Sequence, residues 1–319
     1  MSTYTEQPLT PPLLDQPQND YVRPIHPEDE RVVKTLIGLG IMEGLPKANN
    51  KIILNPLCAL SILTLGYFLN RLMSFMPDEN IISWFTALIG PCLASLPILG
   101  LVEYIQRPHF IGLLRRTMGQ SDLVKFDGYC SEGKSKGWVF VHNDQIVGTI
   151  LVDSQHPGKK LVSVLGDEEG QINEDKQLLE NKENKEKSNN LNLRKRKSTG
   201  TSINTTSDKG IVQIRHLAVD SPYRQSSIPL DLLIEALDQS FSVSNRNKVI
   251  IELGYFCSKE IIDALKKVGF VKSTSKQVEG SDSKLEEPES IGLMGWKGYW
   301  MILSKEVYEV NKEAIVGKK

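Results

Sequence analysis

The longest apolar stretch runs from Ile52 to Val102 as two segments, 52-IILNPLCALSILTLGYFL-69 and 81-IISWFTALIGPCLASLPILGLV-102, neither of which carries a charged side chain. A bilayer core about 30 Å thick is spanned by ~20 mostly apolar helical residues, within a range of ~17 to 25. Lipid cannot hydrogen-bond the backbone, so such a segment must be helical. The stretch therefore predicts a transmembrane hairpin, and a pair of buried helices in a soluble domain is the alternative.

The charges around the hairpin predict its orientation. Basic residues flank its two outer ends, namely Lys47, Lys51, Arg107, Arg115 and Arg116. The connecting loop has Arg71 against the acidic pair Asp78 and Glu79. Because an excess of Lys and Arg marks the cytoplasmic side, both outer ends are expected in the cytosol, together with both termini.

Composition limits what the rest of the chain can be. At 319 residues, there is room for the hairpin and one further domain, since domains commonly run ~100 to 150 residues. The formal net charge of -1 argues against nucleic acid as the main partner, because phosphate binding needs a basic face. The four cysteines show no C-x-x-C spacing, so neither a disulfide framework nor a metal site is predicted.

Residues 1–51 are predicted to form a cytosolic tail. Met1 to Asn19 is rich in Pro, Gln and Thr, which is typical of disorder, and no apolar segment there suggests a cleaved signal. Pro27 to Gly44 then has the pattern of a short amphipathic helix. This helix would lie either on the membrane surface or against the cytosolic domain.

Residues 103–305 are predicted to form the cytosolic domain. Trp138 to His142 and Gln145 to Asp153 are rich in β-formers and are joined by the hairpin signal Asn143–Asp144. Further on, strands alternate with helices, which implies β-α-β units. The later elements are a strand at Ile211 to Val219, a helix at Leu230 to Val243, a strand at Lys248 to Tyr255, a helix at Lys259 to Val268 and a last strand at Trp300 to Ser304.

Two polar segments interrupt this domain. Residues 154–208 and 272–290 are dense in charged and small polar side chains and are predicted to be disordered insertions. The basic run Arg194 to Lys197 is similar to a nuclear import signal, but a solvated loop is the preferred interpretation, since short charge runs are weak motifs. Residues 306–319 are expected to be a C-terminal tail.

Two stretches carry a resemblance to a known family. They are Leu-Ala-Val-Asp-Ser-Pro-Tyr-Arg at Leu217 to Arg224, followed directly by an apolar helix, and Ala-Leu-Lys-Lys-Val-Gly-Phe at Ala264 to Phe270. With the element order, they resemble the GNAT family of acyl-CoA-dependent N-acetyltransferases. The fold class that this implies is an α+β GNAT-like domain, a mixed sheet with flanking helices, anchored by the two-helix transmembrane hairpin.

The resemblance fails where the family binds its cofactor. The family's pyrophosphate loop reads Arg or Gln, two residues, Gly, one residue, then Gly or Ala. The matching positions here are Arg224, Gln225, Ser226, Ser227, Ile228 and Pro229. Glycines in such a loop let backbone amides approach phosphate at a helix N-terminus. Ser227 adds a side chain there and Pro229 has no N–H, so a degenerate loop without acetyl-CoA is expected.

The family's catalytic acid is also missing. Many members carry a tyrosine four residues before the glycine of the terminal Gly-Phe, and the matching position is Leu265. Tyr255 is a conceivable substitute, and His216 and Glu252 are of the residue types that act as bases. Structural roles are preferred for all three, so no catalytic residue is predicted.

The layout is also similar to that of a second family. A short cytosolic N-terminal region, a two-span hairpin and a long cytosolic region resemble the fungal endoplasmic reticulum packaging chaperones of the high-affinity inorganic phosphate transporter. Leu14 to Pro17 and Tyr21 to Pro24 are similar to stretches of that family. It implies a membrane protein of the endoplasmic reticulum that assists folding or exit of a polytopic transporter, with the bilayer and vesicle coat machinery as further partners. The alternative is a membrane-anchored, acetyl-CoA-dependent N-acetyltransferase.

Overall fold

The structure is a computed structural model that describes residues 20–74, 85, 87–126, 128, 135–154, 157–158, 210–273 and 285–317. The helices are α1 (Glu30–Met42), α2 (Gly44–Ile53), α3 (Pro56–Leu72), α4 (Ile89–Met118), α5 (Ser121–Val124), α6 (Ile228–Phe241), α7 (Lys259–Val268) and α8 (Lys305–Val316). The strands are β1 (Tyr21–Pro24), β2 (Ser135–His142), β3 (Gln145–Asp153), β4 (Ile211–Val219), β5 (Lys248–Leu253), β6 (Val271–Lys272), β7 (Ser290–Ile291), β8 (Trp296–Lys297) and β9 (Tyr299–Ser304).

Seven of these strands form one mixed sheet in the order β1-β2-β3-β4-β5-β9-β6. The β4–β5 pair is parallel, and α6 makes the crossover between the two strands. The β2–β3 hairpin turns at Asn143 and Asp144, whose positive φ angles of 49° and 61° fit the tight turn that twisted strands require. The predicted mixed sheet with flanking helices is confirmed.

Both faces of the sheet are buried, and successive residues of β3 show how. Ile150 and Val152 lie in the larger core, which is built with α6 and α7. Leu151 points the other way and packs with α1. Because side chains alternate along a strand, a run of branched residues packs against helices on both faces of the sheet.

The N-terminal region is part of this sheet, which differs from the tail expected over residues 1–51. Tyr21–Pro24 pairs antiparallel with β2, with Tyr21 opposite Val141. The predicted amphipathic helix corresponds to α1, and it buries Val33, Leu36 and Ile37 against the sheet. Of its two expected positions, the packed one is therefore found. The apolar stretch 52–102 thus interrupts the domain rather than preceding it.

The two apolar segments form helices with shifted bounds. Ile52 and Ile53 end α2, and α3 then runs Pro56–Leu72. The second helix, α4, runs Ile89–Met118 and includes the basic segment that follows the apolar one, whereas residues 81–84 and 86 lie outside the described residues. By length and composition, α4 could cross a membrane. The segments Pro27–Ile53 and Pro56–Leu72 pass the same test only as a pair, bent by 65°.

Small residues bring α3 and α4 together. A Cβ on Gly66 would lie 2.6 Å from the backbone of Pro91, so the two helices touch at this point. The side-chain carbonyl of Asn70 accepts a hydrogen bond from the amide of Gly90 at 3.0 Å, and its amide donates to the carbonyl of Ala87. The small residues of the hairpin thus join its two helices.

The C-terminal region differs from the tail expected over 306–319. It forms α8, in which Tyr308 is buried and its hydroxyl donates to Asp238 at 2.7 Å. Most of the two polar insertions, including the basic run Arg194 to Lys197, lies outside the described residues. Within the predicted insertion 272–290, however, Leu285 is buried against the sheet.

The α3–α4 contact can be tested with two glycines of one helix. A Cβ at Gly90 would lie 2.3 Å from both Asn70 Oδ1 and the Gly66 carbonyl oxygen, whereas at Gly100 it would meet nothing within 4 Å. We expect Gly90→Ala to lower the stability of the full chain by about 1 to 3 kcal/mol through overpacking. Gly100→Ala should be neutral or slightly stabilising. Thermal unfolding in detergent measures both, and equal melting temperatures would contradict this packing.

Candidate functional site

The candidate site lies where β4 and β5 separate. The two strands pair only from Ile211–Ile214 with Lys248–Ile251. Val152 pairs with Ile214 and Leu151 with His216, so Arg215 is the extra residue of a β-bulge in β4. A bulge bends its strand away from the regular ladder. The gap that opens beyond it is a cavity of about 300 Å³.

Helices from before and after the apolar stretch close this cavity. The end of α1 and the start of α2 contribute Ile41, Glu43 and Lys47 to its wall, and α4 contributes Phe110 and Leu113. Lys47 donates to the carbonyl of Phe256 at 3.2 Å, just beyond the end of β5. The cavity thus lies between the sheet on one side and α1, α2 and α4 on the other.

Arg224, the first residue of the loop that resembles a pyrophosphate loop, is held by a carboxylate of the chain itself. Its guanidinium donates two hydrogen bonds to Glu43, one of them at 2.8 Å, and its Nε donates to the Val219 carbonyl at 2.6 Å. Its side chain is 9% exposed. Bidentate pairing with a carboxylate is the geometry in which an arginine would also bind a phosphate. Glu43 therefore occupies the guanidinium edge that a phosphate would need.

The backbone amides of this loop are largely engaged within the loop. The amides of Arg224 and Ser226 donate to the carbonyls of Ser221 and Tyr223 at 3.4 and 3.2 Å. The amide of Ile228 is 3.3 Å from Ser226 Oγ. Pro229 has no N–H, and Ile228 and Pro229 are buried. Three of the five backbone amides in the segment Arg224–Pro229 are therefore already engaged.

A carboxylate also stands at the start of α6. The hydroxyl of Ser227, the N-cap residue, donates to Asp231 Oδ2 at 2.8 Å. The N-terminus of a helix attracts negative charge, and Asp231 supplies that charge from within the chain. A pyrophosphate at the same place would be repelled by Asp231. Gln225, between the two carboxylate contacts, is exposed.

A buried contact between a histidine and a carboxylate also lies at this site. His216 Nε2 is 2.9 Å from Asp122 Oδ2, with the two side chains 10% and 0% exposed. Burial raises the pKa of Asp122, but the positive charge of His216, its hydrogen bond and the charge of Arg215 outweigh burial, so the pKa lies below its usual value. Arg215 itself pairs with Asp153 at 3.0 Å. His216 therefore links β4 to α5, which suits the structural role preferred from sequence.

The other acid–base candidates are engaged at the cavity rim. The Tyr255 hydroxyl contacts Lys51 of α2, and Glu252 accepts from the amide of Glu289 at 3.2 Å. Cys257 lines the cavity, and burial raises the pKa of its thiol to about 11, so it is protonated at neutral pH. Leu265, at the position of the family's acid, is buried in the main core.

These groups do not fit acetyl-CoA as the family would bind it. Arg224 is paired, most loop amides are used, Pro229 cannot donate, and Asp231 is placed against phosphate. Among the described residues, no group of three or more His, Cys, Asp and Glu side chains is arranged to hold a metal ion.

Comparisons with known proteins return structures but no sequence relatives. No family model matches, and no curated protein matches. Spermidine N-acetyltransferase from Vibrio cholerae, in complex with CoA and spermine, is 9% identical with a TM-score of 0.37 over 91% of this chain and 98% of that one. NAA60 from Arabidopsis thaliana, in complex with acetyl-CoA, is 12% identical with a TM-score of 0.38 over 90% and 99%.

A GNAT-family acetyltransferase from Streptococcus pneumoniae is also similar, at 12% identity and a TM-score of 0.31 over 57% of this chain and 73% of that one. At these TM-scores the likeness carries no argument about function. The sheet itself is mixed, with a parallel β4–β5 pair joined through α6 and an antiparallel β9 beside β5, as the resemblance noted in the sequence implies.

The sequence identified the loop but not the carboxylates that pair with its residues. Glu43 lies 181 positions before Arg224, so no local pattern could link the two. Asp122 is likewise distant from His216 in sequence. The role of Asp231 could have been predicted, because an acidic residue four positions after Ser227, in the first turn of α6, is visible in the sequence.

The Asp122–His216 pair predicts a pH dependence. Because the pKa of Asp122 is lower in the folded chain than the ~3.9 of an unfolded one, its stabilisation is present above that value and lost as the pH falls through the folded pKa. We expect Asp122→Asn to lower the melting temperature at neutral pH and to flatten its decline in acid. The exposed turn substitution Asp144→Asn should change neither. Parallel pH–melting curves for all three proteins would contradict this role.

Proposed function

We propose that this chain is a membrane-anchored, non-catalytic GNAT-like protein that assists the folding or endoplasmic reticulum exit of a polytopic transporter. The non-catalytic part of the proposal is supported by the Glu43–Arg224 ion pair, in which Glu43 uses the guanidinium donors that a phosphate would need. A protein that holds a client needs no bound cofactor, whereas a transferase does. Fold alone does not imply the family's chemistry.

Membrane anchoring through α3 and α4 is the second part of the proposal. β1, α1 and α2 come before these helices and β2 comes after them, yet all belong to one domain. If α3 crosses the bilayer, α4 must return, and both termini lie on one side. The basic residues at the outer ends of the two helices favour the cytosolic side.

The client is the third part of the proposal, and it rests on the resemblance in layout. Apolar side chains on the outer faces of α3 and α4 are exposed in the isolated chain, for example Leu60, Phe68 and Leu96. In lipid, these faces could contact acyl chains or the helices of another membrane protein. The high-affinity phosphate transporter is the client we propose, with vesicle coat machinery acting downstream.

The acetyl-CoA prediction separates the two main functions. We expect no change in the melting temperature of the full chain in detergent on adding acetyl-CoA, because Arg224 and most amides of the loop already have partners within the chain. Arg224→Ala serves as the matched variant and should respond no differently. A stabilisation by acetyl-CoA that grows with concentration and disappears in Arg224→Ala would overturn the non-catalytic proposal.

A membrane-anchored N-acetyltransferase is the second candidate. The cavity between β4 and β5 favours it, since an opening at this position is where such an enzyme would bind its cofactor. On this alternative, Glu43 would have to release Arg224 when acetyl-CoA binds. Turnover of an amine acceptor by the full chain would establish it.

The transporter prediction concerns cells. We expect deletion of this protein to hold a polytopic transporter in the endoplasmic reticulum. A Glu43→Ala/Arg224→Ala chain should restore its delivery, because removing both partners leaves no unpaired charge. A chain in which unrelated spans replace residues 56–72 and 89–102 should not. The readout is plasma-membrane abundance of each transporter, and normal delivery of all transporters after deletion would refute the client role.

A further inference from the structure

A small hairpin outside the main sheet carries an apolar tip. β7 and β8 pair antiparallel, with Ser290 opposite Lys297 and Ile291 opposite Trp296. The four residues between them are Gly-Leu-Met-Gly, and a hydrogen bond of 3.0 Å joins the Gly295 amide to the Gly292 carbonyl. Leu293 and Met294 form the corner of this turn and are each 59% exposed. Turn corners normally carry polar or small residues, so this pair calls for an explanation.

The hairpin runs along α4 in a fixed direction. At its base, Glu289 pairs with Arg116. At its tip, the amide of Leu293 donates to Gln106 Oε1 at 3.2 Å. Ten residues of helix separate Arg116 from Gln106, a distance of ~15 Å. The chain from Glu289 to Leu293 therefore follows α4 back toward its apolar half.

Gln106 fixes where the tip stands along α4. It is fully buried, and a Cβ on Gly292 would lie 2.8 Å from its Oε1, so the tip is seated closely on the helix. Gln106 comes four residues after Val102, where the apolar segment ends, which is ~6 Å along the axis. The headgroup layer on each side of a bilayer core is of about the same thickness.

The surroundings of the tip fit a lipid interface. Leu54 at the α2–α3 junction and Tyr104, two residues before Gln106 on α4, are 81% and 78% exposed, so large apolar side chains are exposed near this level of the helices. The ring of Trp296 stacks with Tyr255 at 6.1 Å between centroids. Aromatic side chains are enriched at this level of a membrane.

We propose that the β7–β8 tip, with Leu293 and Met294 foremost, inserts into the headgroup layer of the bilayer that α3 and α4 cross. This inference rests on the proposed membrane anchoring. The tip, α3 and α4 then contact the same side of the bilayer at three points. They would hold the cavity between β4 and β5 at a fixed height and tilt above the lipid.

The test uses the full chain, with its native cysteines replaced by alanine, reconstituted into lipid nanodiscs. Met294→Cys is labelled with an environment-sensitive nitrobenzoxadiazole dye, and Gln239→Cys, exposed on α6, is the matched control. We expect the dye at 294 to emit at shorter wavelength, to be quenched by brominated lipid and to be shielded from aqueous iodide. The dye at 239 should show the opposite pattern.

Each contrary result has a separate meaning. Free quenching of the 294 dye by iodide would place the tip in water and overturn the inference. Shielding from both quenchers would mean that protein, such as a second copy of the chain, covers the tip, which also overturns it. Alkaline carbonate extraction of the unlabelled chain from membranes tests the anchoring itself. A chain that resists extraction but shows an aqueous 294 dye refutes the tip insertion alone.

Discussion

The pairing of Arg224 with Glu43 is the contact that holds the N-terminal helices against the cavity side of the sheet. It joins the loop before α6 to the junction of α1 and α2, so it both closes the cavity and fixes the N-terminal helices over the sheet. Its donors face a carboxylate at 2.8 Å, and the guanidinium is almost fully shielded from water. Such a pair is strongly destabilising to break from one side, because it leaves a buried charge without a partner.

The backbone of the sheet, and not a bound ligand, produces the cavity between β4 and β5. The bulge at Arg215 and the limited pairing of β4 with β5 open the sheet whether or not a ligand enters. The acid–base candidates named from sequence are engaged, His216 with Asp122, Tyr255 with Lys51 and Glu252 with the amide of Glu289. The opening exists because β4 and β5 diverge, and the polar side chains around it contact other side chains of the same domain.

The sequence was informative wherever structure is set locally. The Asn143–Asp144 turn, the branched run of β3 and the helix Lys259–Val268 ending at Gly269 were all predicted within a few residues, since turn chemistry, alternation and capping lie in adjacent positions. The strand Tyr21–Pro24 and the helix Lys305–Val316 were missed. Both are short or weakly patterned and are held by partners distant in sequence. The same limit applies to Glu43, whose partner Arg224 is 181 positions away.

The interruption of the domain by α3 and α4 also sets the order in which the chain can assemble as it is synthesised. Tyr21 pairs with Val141, so β1 leaves the ribosome about 120 residues before its partner strand exists. During that interval, the apolar side chains of α1 have no sheet to pack against. Both apolar helices are therefore complete before the sheet can close, and β1 joins its partner strand only after the chain has returned from them.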